Sequence, residues 1–206
     1  MSIEKYKPSS EEIAKAEGFL NDVERKKSEE REEAFLSLKP PRLNRKSGTI
    51  ILDLDSRLID IEQLRIRLES QMFEPKDEFH FTVVGTRNGK KLAGAIKSQP
   101  GLSKKVGELI RTSNWELGST PQIYKVTKEY AIPDPKTGEN RSESRQSVVQ
   151  VLDLPGLDAF YRNLNAISSA EIEPQFPHIT LFTMGDKMGI AINSREEFEK
   201  MSPEQL

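Results

Sequence analysis

Two apolar segments with the alternation typical of strands constrain the fold of this chain most strongly. They read EFHFTVVGT (78–86) and HITLFTM (178–184), and each follows one strand pattern and one helix pattern. The first strand–helix–strand unit covers roughly 49–86 and the second roughly 144–184. Because the same order occurs twice with a similar ending, the sequence predicts two units related by an approximate two-fold axis.

The remaining segments mix helix and strand patterns without a regular repeat period. Helices are predicted at 9–38, 57–71, 103–113 and 156–168 and after an N-capping Ser194, with strands at 49–54, 122–132 and 144–154. The last two strands predict a long hairpin, and RNGK (87–90) is a strong turn signal. The predicted fold class is α+β. Residues 1–47 are predicted to form an N-terminal helical extension and linker, and residues 48–206 the main domain.

The composition argues against several classes of protein. No apolar stretch approaches the roughly 20 residues that cross a bilayer, and the N-terminus lacks the apolar core of a secretory signal. We therefore expect a cytoplasmic protein that does not bind membranes. The chain has no cysteine and only two histidines, which excludes disulfides and argues against a structural zinc site. No metal and no cofactor is predicted.

The charge distribution is uneven although the net charge is only −2. This balance argues against stable binding to duplex DNA. Two stretches are nevertheless purely basic, KPPRLNRK (39–46) and the segment from Arg87 to Lys105, which contains six basic residues. Such runs are usually solvated surface, and the alternative interpretation is a positive field beside a phosphate site.

The two histidines share a local pattern. His80 is followed two positions later by Thr82, and His178 by Thr180. Residues i and i+2 of a strand point to the same side, about 6.6–7 Å apart, so each pair is predicted to share one face. With nine threonines in 206 residues, the chance of both coincidences is roughly 0.2%. A single histidine in an apolar strand is more often a packing residue, but the pair favours a functional cluster.

Two imidazoles and two hydroxyls suit the cleavage of a phosphodiester without a metal. In-line displacement needs one group that activates the attacking oxygen and one that protonates the leaving oxygen, and histidine performs either role near neutral pH. Each such proton transfer typically accelerates a reaction by about 10²–10⁴-fold. The threonine hydroxyls are suited to donate hydrogen bonds to the non-bridging phosphate oxygens.

The segments HFTVV and HITLF, some 98 positions apart, resemble the paired His-x-Thr motifs of the two-histidine (2H) phosphoesterase superfamily. The resemblance covers roughly residues 48–193. It implies two pseudo-symmetric lobes of antiparallel sheet, with helices, around a central cleft that receives one motif from each lobe. Members of the superfamily include 2′-5′ RNA ligase-like proteins, 2′,3′-cyclic phosphodiesterases, RNA 3′-end trimming enzymes and phage enzymes that degrade cyclic oligonucleotide signals. The N-terminal helix departs from the compact bacterial members.

By this resemblance His80 and His178 are the catalytic acid/base pair, and Thr82 and Thr180 bind the substrate phosphate. The superfamily pattern implies that the second-motif histidine activates water and the first protonates the leaving oxygen, although a near-symmetric site also permits the reverse. Weaker candidates are possible base-stacking aromatics and basic residues near the motif strands: Trp115, Tyr124, Tyr130, Arg87, Lys90 and Lys187.

The expected function is metal-independent hydrolysis of 2′,3′-cyclic phosphates on nucleotides or RNA ends. One alternative is cleavage of 3′,5′ linkages in cyclic oligonucleotides or RNA 3′ tails, with the substrate 2′-OH as the nucleophile. An alternative of another class is a non-catalytic module that binds nucleotides or RNA ends. The predicted partner is accordingly a nucleotide, cyclic oligonucleotide or RNA terminus. The sequence does not indicate an oligomeric state.

Overall fold

The computed structural model describes residues 9–36, 38–59, 61–68, 72–118, 122–133, 138–185 and 189–206. The helices in these ranges are α1 (Ser10–Leu36), α2 (Ile61–Leu68), α3 (Thr86–Ser98), α4 (Leu102–Thr112), α5 (Leu157–Ser168) and α6 (Arg195–Lys200). The strands are β1 (Arg42–Leu43), β2 (Ile50–Leu54), β3 (Glu74–Pro75), β4 (Phe79–Val84), β5 (Gln122–Pro133), β6 (Asn140–Val151), β7 (His178–Met184) and β8 (Glu204–Gln205).

The strands form two antiparallel sheets. One has three strands in the order β1-β2-β4, and the other has five in the order β3-β7-β6-β5-β8. The predicted α+β class is therefore confirmed, and β5 and β6 form the predicted hairpin. Strands β4 and β7 belong to different sheets and contact each other. The two strands that carry the histidines are thus neighbours in space.

One large apolar core joins both sheets to the helices. It includes Leu52 and Phe81 from the three-stranded sheet, Leu181 from the five-stranded sheet, and Phe160 and Leu164 from α5. A smaller apolar cluster covers another part of the five-stranded sheet and includes Val126, Val149, Phe176, Ile190, Ile192 and Phe198. Ile190 and Ile192, which precede α6, pack onto the sheet as part of this second cluster.

The N-terminal extension begins with the predicted helix, which ends at Leu36. Near its end Ala34 is fully buried, and Glu33 pairs with Arg57 at 3.3 Å. The following segment, predicted as a linker, contributes β1, which pairs with β2. Arg42 of β1 holds Asp53 of β2 through two hydrogen bonds of 2.6 and 2.9 Å. No helix in the described part of the chain is long and apolar enough to cross a membrane.

The turn predicted at 87–90 is wrong, because these residues lie in the first turns of α3. Strand β4 ends at Val84, and Gly85 in extended conformation is the N-cap of the helix. Gly89 serves close packing: a Cβ on it would lie 2.7 Å from the Ser47 carbonyl oxygen. The glycine that resembled a turn residue therefore lets the helix approach the preceding loop.

The helix predicted at 57–71 is interrupted. Residues Ser56–Leu58 form a 3-10 turn that Asp55 caps, and Ile59 is extended before α2 begins at Ile61. Ile59 is buried in the main core, so the break coincides with an apolar side chain that packs inward. Residues 60 and 69–71, which the prediction also covered, lie outside the described residues.

Candidate active site

The two motif strands present their His-Thr pairs as the alternation predicts. In β4, Phe79, Phe81 and Val83 are buried in the core, whereas His80 is exposed and Thr82 is half-buried. In β7, Ile179 and Leu181 are buried, whereas His178 and Thr180 are half-buried. On each strand the apolar face anchors the strand in the core and leaves the His-Thr face turned away from it.

Both motif strands carry an irregularity at the same place. On β4 the pairing passes from Thr82 to Val84, so Val83 has no partner on β2. On β7 the pairing passes from Thr180 to Phe182, so Leu181 has no partner on β6. Each extra residue directly follows the motif threonine. Such bulges bend a strand locally and re-aim its side chains, and they are common beside functional sites.

One cavity of about 490 Å³ brings the four motif residues together. Its lining residues are His80, Thr82, Gly85, Thr86, Arg87, Tyr130, Arg145, Gln175, His178, Thr180 and the segment 189–193. None of these described lining residues is acidic, and none comes from α1. The cavity therefore combines two imidazoles, several hydroxyl and amide groups and two guanidinium groups.

His178 is held in a defined orientation. Its Nδ1 lies 2.9 Å from the carbonyl oxygen of Phe176, and the Phe176 ring stacks on the imidazole with centroids 5.9 Å apart. A carbonyl oxygen only accepts hydrogen bonds, so Nδ1 carries the proton and, in the neutral ring, Nε2 is the acceptor. Burial lowers the pKa of His178, while the Phe176 carbonyl and the Glu197 carboxylate raise this pKa and His80 lowers it further.

The start of α3 forms one side of the cavity. Gly85, Thr86 and Arg87 line it, and the Gly85 N-cap leaves the helix without a side-chain cap. Gln175 lies against Gly85, because a Cβ on this glycine would be 2.7 Å from the Gln175 Oε1 and 3.5 Å from the Thr82 Cγ2. Free backbone N–H groups at a helix start favour anions. The motif threonine of β4 thus lies next to a positively polarised helix end.

The β5–β6 hairpin forms a second side. The Arg145 guanidinium lies over the Tyr130 ring, 4.6 Å from its centroid, and Arg145 Nε donates to Glu143 at 2.8 Å. The Arg145 side chain is only 15% exposed, and the stacked pair is fixed against the sheet. This pair gives the cavity a flat aromatic and cationic surface.

Residues 189–193, which we call the wall segment, form a third side. Gly189 has a φ of +76°, and a Cβ on it would lie 3.2 Å from the Thr180 Cγ2. Ile190 and Ile192 are buried in the smaller apolar cluster. The wall segment therefore lies directly against the second motif, with its apolar side chains fixed beneath.

The weaker sequence candidates have different positions. Tyr130 and Arg87 line the cavity, whereas Lys90 and the other lysines of α3 and α4 do not. Trp115 is buried in the core and donates to the Ile110 carbonyl at 2.8 Å. Tyr124 packs edge-on against Phe198. Lys187 lies outside the described residues.

Sequence reasoning missed several lining residues, among them Arg145, Gln175 and Asn193. None of them belongs to a recurring local pattern. Alternation on β6 places Arg145 on the same face as Glu143, whose partner on β5 is Tyr130, and Tyr130 and Arg145 both line the cavity. The register of the β5–β6 hairpin, which follows from the position of its turn, was the signal that could have identified Arg145.

Comparison of the chain with family models, curated proteins and solved structures finds no match. Any assignment of function therefore depends on the geometry of the site and on the resemblance of its motifs.

Proposed function

We propose that this protein is a metal-independent phosphodiesterase that hydrolyses 2′,3′-cyclic phosphates of nucleotides or RNA ends. The observation that carries the proposal is the single cavity lined by both His-x-Thr pairs. The four residues come from strands of two different sheets and are about 98 positions apart in sequence. Such convergence of the only two histidines in the chain is not required by packing, because His80 is exposed.

We further propose that the two sheets and their helices form pseudo-symmetric lobes with the cavity as the cleft between them. The order β2–α2–β4 corresponds to the order β6–α5–β7, and each pair of strands is antiparallel. The bulge that follows the motif threonine in each unit supports the same correspondence. Contacts between β4 and β7 lie where the axis between the lobes would pass.

In the proposed reaction His178 is the general base. The hydrogen bond from Nδ1 to Phe176 leaves Nε2 as the acceptor, and burial keeps the ring neutral near pH 7 by lowering its pKa. Nε2 removes a proton from a water molecule, whose oxygen attacks phosphorus. A base in this state needs no prior deprotonation at neutral pH.

His80 is the proposed general acid. It donates a proton to the 2′ or 3′ oxygen as the bond from phosphorus to that oxygen breaks, which leaves a linear 3′- or 2′-monophosphate. Thr82, Thr180 and the start of α3 are proposed to donate hydrogen bonds to the non-bridging oxygens, whose negative charge must be stabilised in the transition state. His178 gains one proton and His80 loses one, so proton exchange with the solvent restores both rings after each turnover.

A second candidate function is supported by the charge of the cavity. Arg87 and Arg145 line it, and no acidic side chain does so among the described residues. A substrate with several phosphates, such as a cyclic oligonucleotide or an RNA 3′ tail, would gain more from this field than a mononucleotide. In that reaction the base would deprotonate the substrate 2′-OH, and a 3′,5′ linkage would break.

The test is turnover of 2′,3′-cyclic AMP in excess EDTA, beside a panel of 3′,5′-cyclic di- and trinucleotides, with products separated by chromatography. The control is a His80→Ala/His178→Ala double variant purified in the same way, which reports contaminating nuclease. We expect the cyclic mononucleotide to be hydrolysed by the wild type alone. Turnover restricted to the cyclic oligonucleotides would support the second candidate.

Two other results would contradict the proposal. Activity that EDTA abolishes and a divalent ion restores would rule out a metal-independent mechanism. Binding of the nucleotides without any turnover would support the non-catalytic binding module instead, because binding alone needs no pair of proton carriers.

A further inference from the structure

A network of charged and polar groups holds the wall segment in place. The Glu197 carboxylate of α6 accepts hydrogen bonds from the Asn193 backbone N–H at 2.7 Å and from Asn193 Nδ2 at 2.8 Å. It also forms an ion pair with Lys128 of β5, and Lys128 donates to the Ala191 carbonyl at 3.3 Å. Both side chains are largely shielded from water, with exposures of 28% for Lys128 and 27% for Glu197.

The same carboxylate lies near the proposed base. Phe198, the residue after Glu197, stacks on Phe176 with centroids 4.6 Å apart, and Phe176 in turn stacks on His178. Ser194 caps α6 by accepting from the Glu197 backbone N–H at 3.1 Å, which fixes the position of Glu197 on the helix. The helix, the aromatic stack and the wall segment thus form one packed unit beside His178.

The charged and titratable groups around His178 come from five elements, two of which form the β5–β6 hairpin. They are His80 on β4, Arg87 on α3, Lys128, Tyr130 and Arg145 on the hairpin, and Glu197 on α6. Two carboxylates lie among or beside these groups: Glu143 accepts from Arg145 at 2.8 Å, and Glu197 raises the pKa of His178. The attraction of Glu197 for a protonated His178 opposes both burial and the repulsion from His80.

We propose that Glu197 is a positioning residue for His178, which fixes the wall segment against the second motif and stabilises the imidazolium that forms when His178 accepts a proton. This inference rests on the proposed function for its catalytic meaning. Lys128 is assigned the complementary role: it holds the carboxylate in place and weakens its field at His178.

The direction of each substitution follows from electrostatics. Glu197→Gln keeps an acceptor for Asn193 but removes the negative charge, so the pKa of His178 should fall. Lys128→Gln keeps a donor for Ala191 but leaves the carboxylate unopposed, so the pKa of His178 should rise. A purely structural role predicts a different pattern, because a loosened wall would admit water and raise the pKa of His178 in both variants.

The experiment is an NMR titration of the imidazole signals in the wild type and the two variants. With only two histidines in the chain, a His80→Asn variant assigns both signals. The matched control is Glu199→Gln, which removes a carboxylate on the exposed side of the same helix, where it pairs with Arg195 at 3.7 Å. Circular dichroism checks that each variant is folded.

We expect opposite shifts of the His178 titration in Glu197→Gln and Lys128→Gln and no shift in Glu199→Gln. In parallel, kcat/KM of Glu197→Gln should fall about tenfold or more, because the imidazolium that forms as His178 accepts a proton loses its stabilising carboxylate. Shifts of the same sign, or no shift in Glu197→Gln, would overturn the inference. Because the titration needs no turnover, opposite shifts in a protein that hydrolyses no cyclic nucleotide would refute the proposed function alone.

Discussion

At the scale of single residues, the two histidines occupy different environments although their motifs are alike. His178 donates from Nδ1 to Phe176 and lies beneath an aromatic ring, whereas His80 is exposed at the cavity. On the neighbouring strand His80 faces Asp53, whose carboxylate is held by Arg42. This asymmetry supports different roles for the two rings and favours His178 as the base.

The environment of His178 predicts the acid side of the pH–rate profile. Burial lowers the pKa of His178 below the ordinary histidine value of about 6.5. The neutral form of His178, which can act as a base, therefore persists at lower pH than the neutral form of an exposed histidine. We expect the acid limb of the kcat/KM profile to reach half of its plateau value at a pH below about 6.5. Steady-state measurements of kcat/KM from about pH 4.5 to about pH 9, a range that spans histidine titration, test this expectation.

Two profiles would contradict the assignment of His178. A decline that is already half complete at or above about pH 6.5 would mean that burial does not lower the pKa of the base. A flat profile over the whole range would show that no histidine titrates in the rate-limiting step, provided that chemistry limits the rate.

At the scale of secondary-structure elements, Tyr161 of α5 connects the two motif strands. Its hydroxyl donates to the carbonyl of Val83, the bulge residue of β4, and accepts from the backbone N–H of Gln175 at 2.9 Å. Gln175 lines the cavity and lies just before β7. Burial raises the pKa of Tyr161, so the phenol stays protonated and keeps donating at physiological pH.

Removal of this hydroxyl should destabilise the fold. Tyr161→Phe leaves a buried carbonyl and a partly buried N–H without partners, which typically costs about 1–3 kcal/mol in the free energy of unfolding. The control is Tyr124→Phe, which removes a hydroxyl that donates to exposed Gln122 at 3.1 Å and should change stability by less than about 0.5 kcal/mol. Urea denaturation measures both. Equal stabilities of the two variants would contradict the connecting role of Tyr161.

The elements themselves were predictable where one local pattern determined them. Apolar alternation placed β4 and β7 and the faces of their His-Thr pairs, and Ser194 marked the start of α6. The start of α3 was not predictable, because Gly89 serves a close approach to Ser47 that exists only in the folded chain. The bulges at Val83 and Leu181 likewise depend on pairing with neighbouring strands.

At the scale of the whole molecule, the cavity is assembled from five regions: the motif strands, Gln175 before β7, the start of α3, the hairpin and the wall segment. The sequence identified the four motif residues, because each pair lies within one strand and the two pairs match. It did not identify Arg145, Gln175 or Asn193, since only the tertiary arrangement brings them to the motifs. The residues proposed to react were therefore more predictable than those that surround them.

The central claim is that two histidines act together in one site, and kcat/KM for 2′,3′-cyclic AMP in EDTA tests it most directly. The variants are His80→Ala and His178→Ala, with Lys104→Ala on the exposed surface of α4 as the control. The account predicts a loss of roughly 100-fold or more in each histidine variant and little change in the control. Wild-type-like activity in either histidine variant would contradict it.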